Sequence, residues 1–162
     1  MSMDKMKEIE EQYDKIYRYC YFKLQNREIA EDLAQETFLR FLESPNYHNE
    51  GKALRYLYTI ARNLCIDEYR KKKYQILEGE FDEGKMVGSD MEEKTVISLT
   101  VKAALLELEE DERELVLLRY VNEVSISVIC GIYHMSRFSC YRKLKRIMKV
   151  LKEKLESAGL GS

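Results

Sequence analysis

The chain has 162 residues, of which 45% are hydrophobic and 35% charged, with one Pro and a formal net charge of -2. This length suits one ordinary domain or two small ones, and the scarcity of Pro with so much charge favours helices. No run approaches the ~18 apolar residues of a membrane span, and the N-terminus lacks the apolar stretch of a secretory signal. We therefore expect a cytoplasmic protein.

The four cysteines follow no disulfide or zinc spacing and include no CxxC. The nearest approach to a metal cluster is Cys130, His134 and Cys140, but Cys130 lies on an apolar stripe, where a free Cys behaves as a small hydrophobe. We predict no metal and no cofactor. An enzyme is not indicated either, since the chain has two His, no phosphate-binding loop and no paired catalytic carboxylates in a Gly-rich setting.

The small net charge hides an uneven distribution. Residues 55–73 carry six basic and two acidic side chains, and residues 137–154 carry eight basic and one acidic. Between them, residues 78–94 carry seven acids and two lysines. Two basic segments that flank an acidic middle are typical of a protein that contacts phosphate groups at two separate places.

The first part of the chain predicts three amphipathic helices. Residues 5–25 repeat apolar side chains at three- and four-residue intervals, and Asn26 is a candidate N-cap for a second helix. That helix should end before Pro45, whose ring disfavours the α conformation at Ser44. The predicted buried stripe of the third helix is Leu54, Leu57, Tyr58, Ala61, Leu64, Cys65 and Tyr69. Three such helices make a minimal bundle.

Residues 74–94 predict an acidic, flexible linker, because they contain three Gly and no sustained periodicity. Its acidity either keeps the segment away from DNA or simply keeps it solvated. The predicted organisation is therefore a first domain over residues 1–73, the linker, and a second domain over residues 95–162.

The second domain is predicted to begin with a helix over residues 96–108. The segment "DERELVLLRY" (111–120) follows, with Asp111 as a plausible N-cap and Glu114 at the capping-box position.

A helix-turn-helix motif is predicted at the end of the chain. Ser125 and Ser136 are candidate N-caps of two helices separated by a tight turn near His134. In this motif the second helix enters the major groove of DNA. Its predicted buried stripe is Cys140 or Tyr141, Leu144, Ile147, Met148 and Leu151.

Specific segments resemble a known family. "AEDLAQETFLRFL" (30–42) is similar to the "AEDLTQEVFLRLW" helix, and "LYTIARNLCIDEYRKKK" (57–73) to the "LYRIARNLLIDHLRRRR" helix, of region 2 of bacterial sigma factors of the extracytoplasmic-function (ECF) type, in the sigma-70 family. Residues 104–120 and 124–151 resemble region 4 of the same family. The resemblance implies an all-α fold with two small domains, a region-2 three-helix bundle and a region-4 helix-turn-helix.

The function implied by the resemblance is that of an alternative sigma factor. Such a protein binds core RNA polymerase and directs it to promoter DNA, and many members are held inactive by an anti-sigma factor. Two other classes stay open from the residues alone. One is a stand-alone helix-turn-helix regulator whose first half is a dimerisation or ligand domain, and the other is a regulatory protein that sequesters a transcription component.

The polymerase-binding residues implied by the resemblance are Asp32, Gln35 and Glu36, which match the family's "EDLxQE". They would meet a coiled coil in the largest polymerase subunits. The alternative is that these three side chains form an ordinary solvated helix face.

Recognition and melting of the −10 element are assigned by the resemblance to Tyr47, Arg55, Tyr56, Arg62, Asn63 and Arg70. Unstacking a base costs roughly a few kcal/mol, which aromatic and polar groups offset by holding the extruded base while cations hold phosphates. Each role has a structural alternative. Tyr47 can close its loop over the bundle, Asn63 can bond a nearby carbonyl, and Arg70 can belong to a solvated helix end.

Recognition of the −35 element is assigned to Ser136, Arg137, Ser139, Arg142, Lys143 and Arg146. The chain departs from the family pattern here. His134 stands where Gly is usual and adopts φ > 0 only at some cost, and Ser127 and Val128 replace an acidic pair. Glu109 or Glu110 replaces a Pro, and the family's "SxGTVKSR" reads "SRFSCYRK". These changes alter the reading face more than the fold.

Overall fold

The computed structural model describes residues 3–44, 50–77 and 96–159, and every regular element in these ranges is helical. The chain divides into two compact units, Met1–Gly88 and Ser89–Ser162. The prediction of an all-α fold is confirmed. In the described ranges, no helix is both long enough and apolar enough to cross a membrane.

The first unit is a three-helix bundle, as predicted. It comprises α1 (Met3–Leu24), α2 (Arg27–Glu43) and α3 (Glu50–Leu77), and each helix packs against the other two. The most deeply buried apolar side chains of this bundle are Ile16, Tyr19, Cys20, Ala30, Ala34, Leu57, Tyr58, Ala61 and Cys65.

Close helix packing in this bundle rests on small and aromatic residues. Ala30 and Ala34 are fully buried and present little side-chain bulk, so the neighbouring helices approach α2 closely. Tyr19 of α1 meets Tyr58 of α3 edge to face, with ring centroids 5.9 Å apart, which is a favourable aromatic geometry. The buried Thr37 hydroxyl donates to the Leu33 carbonyl at 2.6 Å, so no unpaired polar group remains there.

Both ends of α2 follow the predicted signals. The Asn26 side chain accepts from the Ile29 N–H at 3.0 Å, which confirms the N-cap. Gln25, which links α1 to α2, takes a left-handed conformation with φ 56°. At the other end, α2 stops at Glu43 and Ser44 is extended (φ -77°, ψ 134°).

The C-terminal half of α3 departs from the sequence prediction. Tyr69, expected in the buried stripe, is 51% exposed, whereas Lys72 is only 6% exposed. Burial lowers the pKa of Lys72, and the nearby Glu68 carboxylate opposes that shift. The buried side of α3 therefore continues through Lys72 rather than through Tyr69, and a Lys can occupy such a position because its stem is aliphatic. Helix α3 also continues to Leu77, so residues 74–77 are helical rather than part of a linker; the rest of the predicted linker lies outside the described residues.

Within residues 96–159, the part of the second unit that the structure describes, there are four α-helices and one π-helical turn. They are α4 (Val96–Leu106), α5 (Glu110–Val116), the π-helical turn (Leu117–Val121), α6 (Ile126–Tyr133) and α7 (Arg137–Ser157). Helix α7 packs against α4, α5 and α6. The buried core side chains of this unit include Leu115, Leu117, Leu118, Ile129, Cys140, Leu144 and Ile147.

The start of α5 corrects a sequence prediction. The N-cap is Glu109 rather than Asp111, and the Glu112 side chain accepts from the Glu109 N–H at 3.0 Å. Glu114, predicted at the capping-box position, is 2% exposed and lies in the core face instead. The helix begins two residues earlier because Glu112 can reach back to close the box from that register.

The helix-turn-helix prediction is confirmed, including both predicted N-caps. Ser125 accepts from the Val128 N–H at 3.3 Å and Ser136 from the Ser139 N–H at 3.1 Å. Between the two helices His134 is left-handed (φ 55°, ψ 46°), the conformation that favours Gly. Of the two alternatives for the buried stripe, Cys140 is buried and Tyr141 is 57% exposed. Met148 was also predicted in this stripe, but it is 39% exposed, so that part of the prediction is wrong.

Candidate functional site

The predicted polymerase-binding residues lie on the solvent side of α2. Asp32 and Gln35 are exposed, and the half-buried Glu36 accepts from Arg40 Nε at 2.8 Å. At about 100° per residue they project away from the buried positions Ala30 and Ala34. The structure therefore brings the three residues together on an accessible face.

Two leucines on this face were not singled out from the sequence. Leu39 is 55% and Leu42 49% exposed, and with Asp32 and Gln35 they repeat at intervals of three, four and three residues. We call these four residues the α2 stripe. The exposure of Leu39 could have been predicted from the sequence, because Leu39 does not lie on the helical stripe that contains the buried residues Ala30 and Ala34. Only the packing shows that Leu42 is exposed as well.

The predicted −10 residues of α3 also share one side of their helix. Arg55, Tyr56, Arg62, Asn63 and Arg70 span an arc of about 120°, and this arc lies opposite the buried leucines of the same helix. We call them the α3 face. Asn63 and Arg70 are exposed and the other three are half-buried. Tyr47 lies outside the described residues.

Tyr56 has a structural role beside its predicted one. Its ring packs against Phe41 of α2 with centroids 6.2 Å apart and planes at 40°, while part of the side chain stays accessible. Tyr69 adds a second aromatic ring near this face, because it follows Arg55 and Arg62 at seven-residue intervals and is 51% exposed. Its heptad spacing from the two arginines was the signal that sequence reasoning missed.

The predicted −35 residues surround the first turns of α7. Arg137, Arg142 and Lys143 are exposed, whereas the Ser136 hydroxyl is engaged in capping. Arg146 forms an ion pair with Glu112 of α5 at 3.2 Å. The Arg146 side chain is still 66% exposed, and an ion pair this exposed contributes only about 0–1 kcal/mol.

An aromatic ring stands among these cations. Phe138 is 74% exposed in the first turn of α7, and the guanidinium carbon of Arg142 lies 5.3 Å from its ring centroid. This is cation–π distance. Sequence reasoning passed over Phe138 because it fits no amphipathic stripe.

The two cysteines of the helix-turn-helix face each other. Burial raises the pKa of the Cys140 thiol, and a hydrogen bond with Cys130 raises it further. Among the described residues, no three His, Cys, Asp or Glu side chains are grouped as metal ligands. The contact between these thiols joins α6 to α7.

Comparison with known families and proteins gives consistent matches. The family model of sigma-70 region 2 matches residues 9–74, and that of sigma-70 region 4 matches residues 98–151. The chain is 33% identical to the ECF RNA polymerase sigma factor SigW of Bacillus subtilis, over 88% of this chain and 83% of that protein. It is 31% identical to the RNA polymerase sigma factor YlaC of Bacillus subtilis, over 88% and 87% of the two chains.

The fold has a counterpart among solved structures. The sigma factor RpoE of Bartonella quintana, solved in complex with the anti-sigma factor NepR, superposes with a TM-score of 0.70 at 20% identity, covering 96% of this chain and 98% of that one. The two family matches fall on the three-helix bundle and on the helix-turn-helix unit, in the order that the sequence resemblance implied. The chain belongs to the ECF sigma factors of the sigma-70 family, non-catalytic proteins that direct RNA polymerase to promoters.

Proposed function

We propose that this sigma factor docks on core RNA polymerase through the α2 stripe, opens the −10 element with the α3 face, and reads the −35 element with the first turns of α7. An initiation factor works where the polymerase is, so the proposal places the protein in the cytoplasm. The roles of the two units follow the family matches. The roles of individual residues are our assignment.

The α2 stripe is the observation that carries the docking assignment. Leu39 and Leu42 expose about half of their apolar surface, next to Asp32 and Gln35. A spacing of three, four and three residues is the repeat with which one helix packs along a coiled coil. Apolar side chains bordered by polar ones are also the usual composition of a protein interface. A coiled coil of core polymerase fits this surface.

The α3 face combines the two kinds of group that strand opening requires. Asn63 and part of the Tyr56 ring are accessible to an unstacked base, and Arg70 is exposed beyond them for phosphate contact. The contact between Tyr56 and Phe41 holds that ring against the bundle, which reduces the entropy lost when a base stacks on it.

An anti-sigma factor is a further partner under this proposal. The sigma factor of similar fold from Bartonella quintana was solved with one bound, and an exposed apolar stripe on α2 offers such a protein a way to block polymerase docking. The proposal names no particular anti-sigma factor.

Docking is tested by removing the apolar and acidic parts of the stripe separately. Leu39→Ser and Asp32→Lys should each weaken co-purification with core polymerase about tenfold or more, a loss within the range of interface hot spots. Leu106→Ser is the matched control, since Leu106 is 61% exposed in the other unit. Helix content by circular dichroism should be equal in all variants. Wild-type retention by both folded stripe variants would refute the docking assignment.

A gel-shift experiment separates the proposed function from the other two classes. Duplex promoter DNA is mixed with the protein, with and without core polymerase. A sigma factor shifts the DNA only when polymerase is present, a stand-alone regulator shifts it alone, and a sequestering protein shifts it under neither condition. Either of the last two results contradicts the proposal.

A further inference from the structure

We propose that Phe138 is a specificity-determining residue of this sigma factor, whose ring contacts the C5-methyl group of a thymine in the upstream promoter element. The inference rests on the proposed role of α7 and goes beyond it, because it assigns base recognition to an apolar side chain among the cations.

Phe138 lies where the motif contacts bases. It is the second residue of the helix, and the N-terminal residues of the second helix of this motif contact base edges in the major groove. The buried residues Cys140 and Leu144 define the side of α7 that packs on its own unit. Phe138 projects from the opposite side, at about 160° from Cys140 by helical geometry.

The exposure of Phe138 is the second argument. It is 74% exposed, more than any other large hydrophobic side chain whose exposure the structure describes. A lone exposed apolar residue needs no explanation on most surfaces. Here Phe138 lies between Arg137 and Arg142 in helical order, and the other outward residues of α7 are mostly basic. Binding to phosphates would explain the basic residues, but it does not explain an exposed aromatic ring among them.

The chemistry of the major groove supplies a fitting ligand. Of the four bases only thymine presents an apolar group there, its C5-methyl, and Phe is among the side chains that contact it. The Arg142 guanidinium, 5.3 Å from the ring centroid, keeps the ring and a cation together at one point of the groove. The ring is thus held in place by a residue that also attracts the DNA backbone.

The test uses the full-length protein with core polymerase and duplex promoters that this holoenzyme selects from a pool randomised in the upstream element. Each thymine of a selected element is then replaced singly by deoxyuridine, which removes only the methyl group. At one position the replacement should weaken wild-type binding about fourfold, the value of one buried methyl-sized group. Phe138→Ala should bind the thymine and deoxyuridine promoters equally well.

Tyr120→Ala is the matched control, because Tyr120 is a 51% exposed aromatic residue of the same unit outside α7. It should discriminate thymine from deoxyuridine as the wild type does. If the wild type selects a defined element but tolerates deoxyuridine at every position, or if Phe138→Ala keeps the discrimination, the assignment of Phe138 is wrong and the proposed function stands. If the holoenzyme selects no element at all, the proposed function fails, and this assignment fails with it.

Discussion

The turn of the helix-turn-helix stores strain that a single substitution should release. His134 has φ 55° and ψ 46°, and its exposed side chain contributes little buried surface. In this conformation a residue with a Cβ destabilises the folded state by about 1–2 kcal/mol. Gly destabilises it by roughly 0.5–1 kcal/mol, because Gly loses more conformational freedom on folding. His134→Gly should therefore stabilise the second unit by about 0.5–1 kcal/mol.

Native-state hydrogen exchange on the full chain measures this change locally. Peptides from α6 and α7 report the free energy of opening of their own unit. A gain of about 0.5–1 kcal/mol slows their exchange about two- to fivefold, while peptides from the first unit should exchange at the wild-type rate.

Two control variants make the test specific. His134→Ala keeps the Cβ and should not slow exchange. Lys145 is exposed in the middle of α7. Lys145→Gly should destabilise the helix by about 1 kcal/mol and accelerate hydrogen exchange correspondingly. If His134→Gly leaves exchange unchanged, or if His134→Ala slows it as much, then the left-handed turn carries no strain and the reasoning is refuted.

Three further predictions concern single side chains. Ser136→Ala removes the cap on the Ser139 N–H and should cost about 1 kcal/mol, seen as faster exchange in the first turn of α7; unchanged exchange would contradict the capping role. Arg70→Ala should reduce the salt dependence of holoenzyme binding to promoter DNA: the slope of log affinity against log salt should fall by the amount that about one phosphate contact contributes. An unaltered slope would exclude that contact. Burial lowers the pKa of Lys72 in the folded chain, so between that pKa and the ordinary lysine pKa the unfolded chain binds this proton more readily. The free energy of unfolding should therefore rise as pH increases through that range. Lys72→Met should remove that rise and be more stable at neutral pH, as measured by urea unfolding at pH values across that range; a persistent rise would assign it to another group.

Much of the architecture follows from local signals in the sequence. The caps at Asn26, Ser125 and Ser136 each lie where a short polar side chain precedes an apolar repeat, and the structure contains all three bonds. Capping depends on groups within four residues of one another, so it can be predicted without knowledge of the fold. The left-handed turn at His134 was likewise expected, because the resemblance placed it where Gly is usual.

The start of α5 is not fixed by local sequence. Asp111 and Glu109 are both acidic residues with a Glu three positions later, so local sequence does not distinguish them as N-caps. In the folded unit Glu112 accepts from the Glu109 N–H, whereas Glu114 is 2% exposed and lies in the core. Sequence reasoning assigned the cap to Asp111 for want of that tertiary constraint.

By itself the sequence determined the order of helices, the caps at Asn26, Ser125 and Ser136, the two basic segments and the family, because these depend on periodicity, short-range bonding and motif. Only the tertiary structure decided which residues of each helix reach solvent. It buried Lys72 and exposed Tyr69, turned Leu42 outward beside the acidic face of α2, and left Phe138 in solvent under Arg142. A helix has about 3.6 residues per turn, so several stripes fit one apolar pattern. The stripe that is buried is fixed by the neighbouring helices, which lie far away in the sequence.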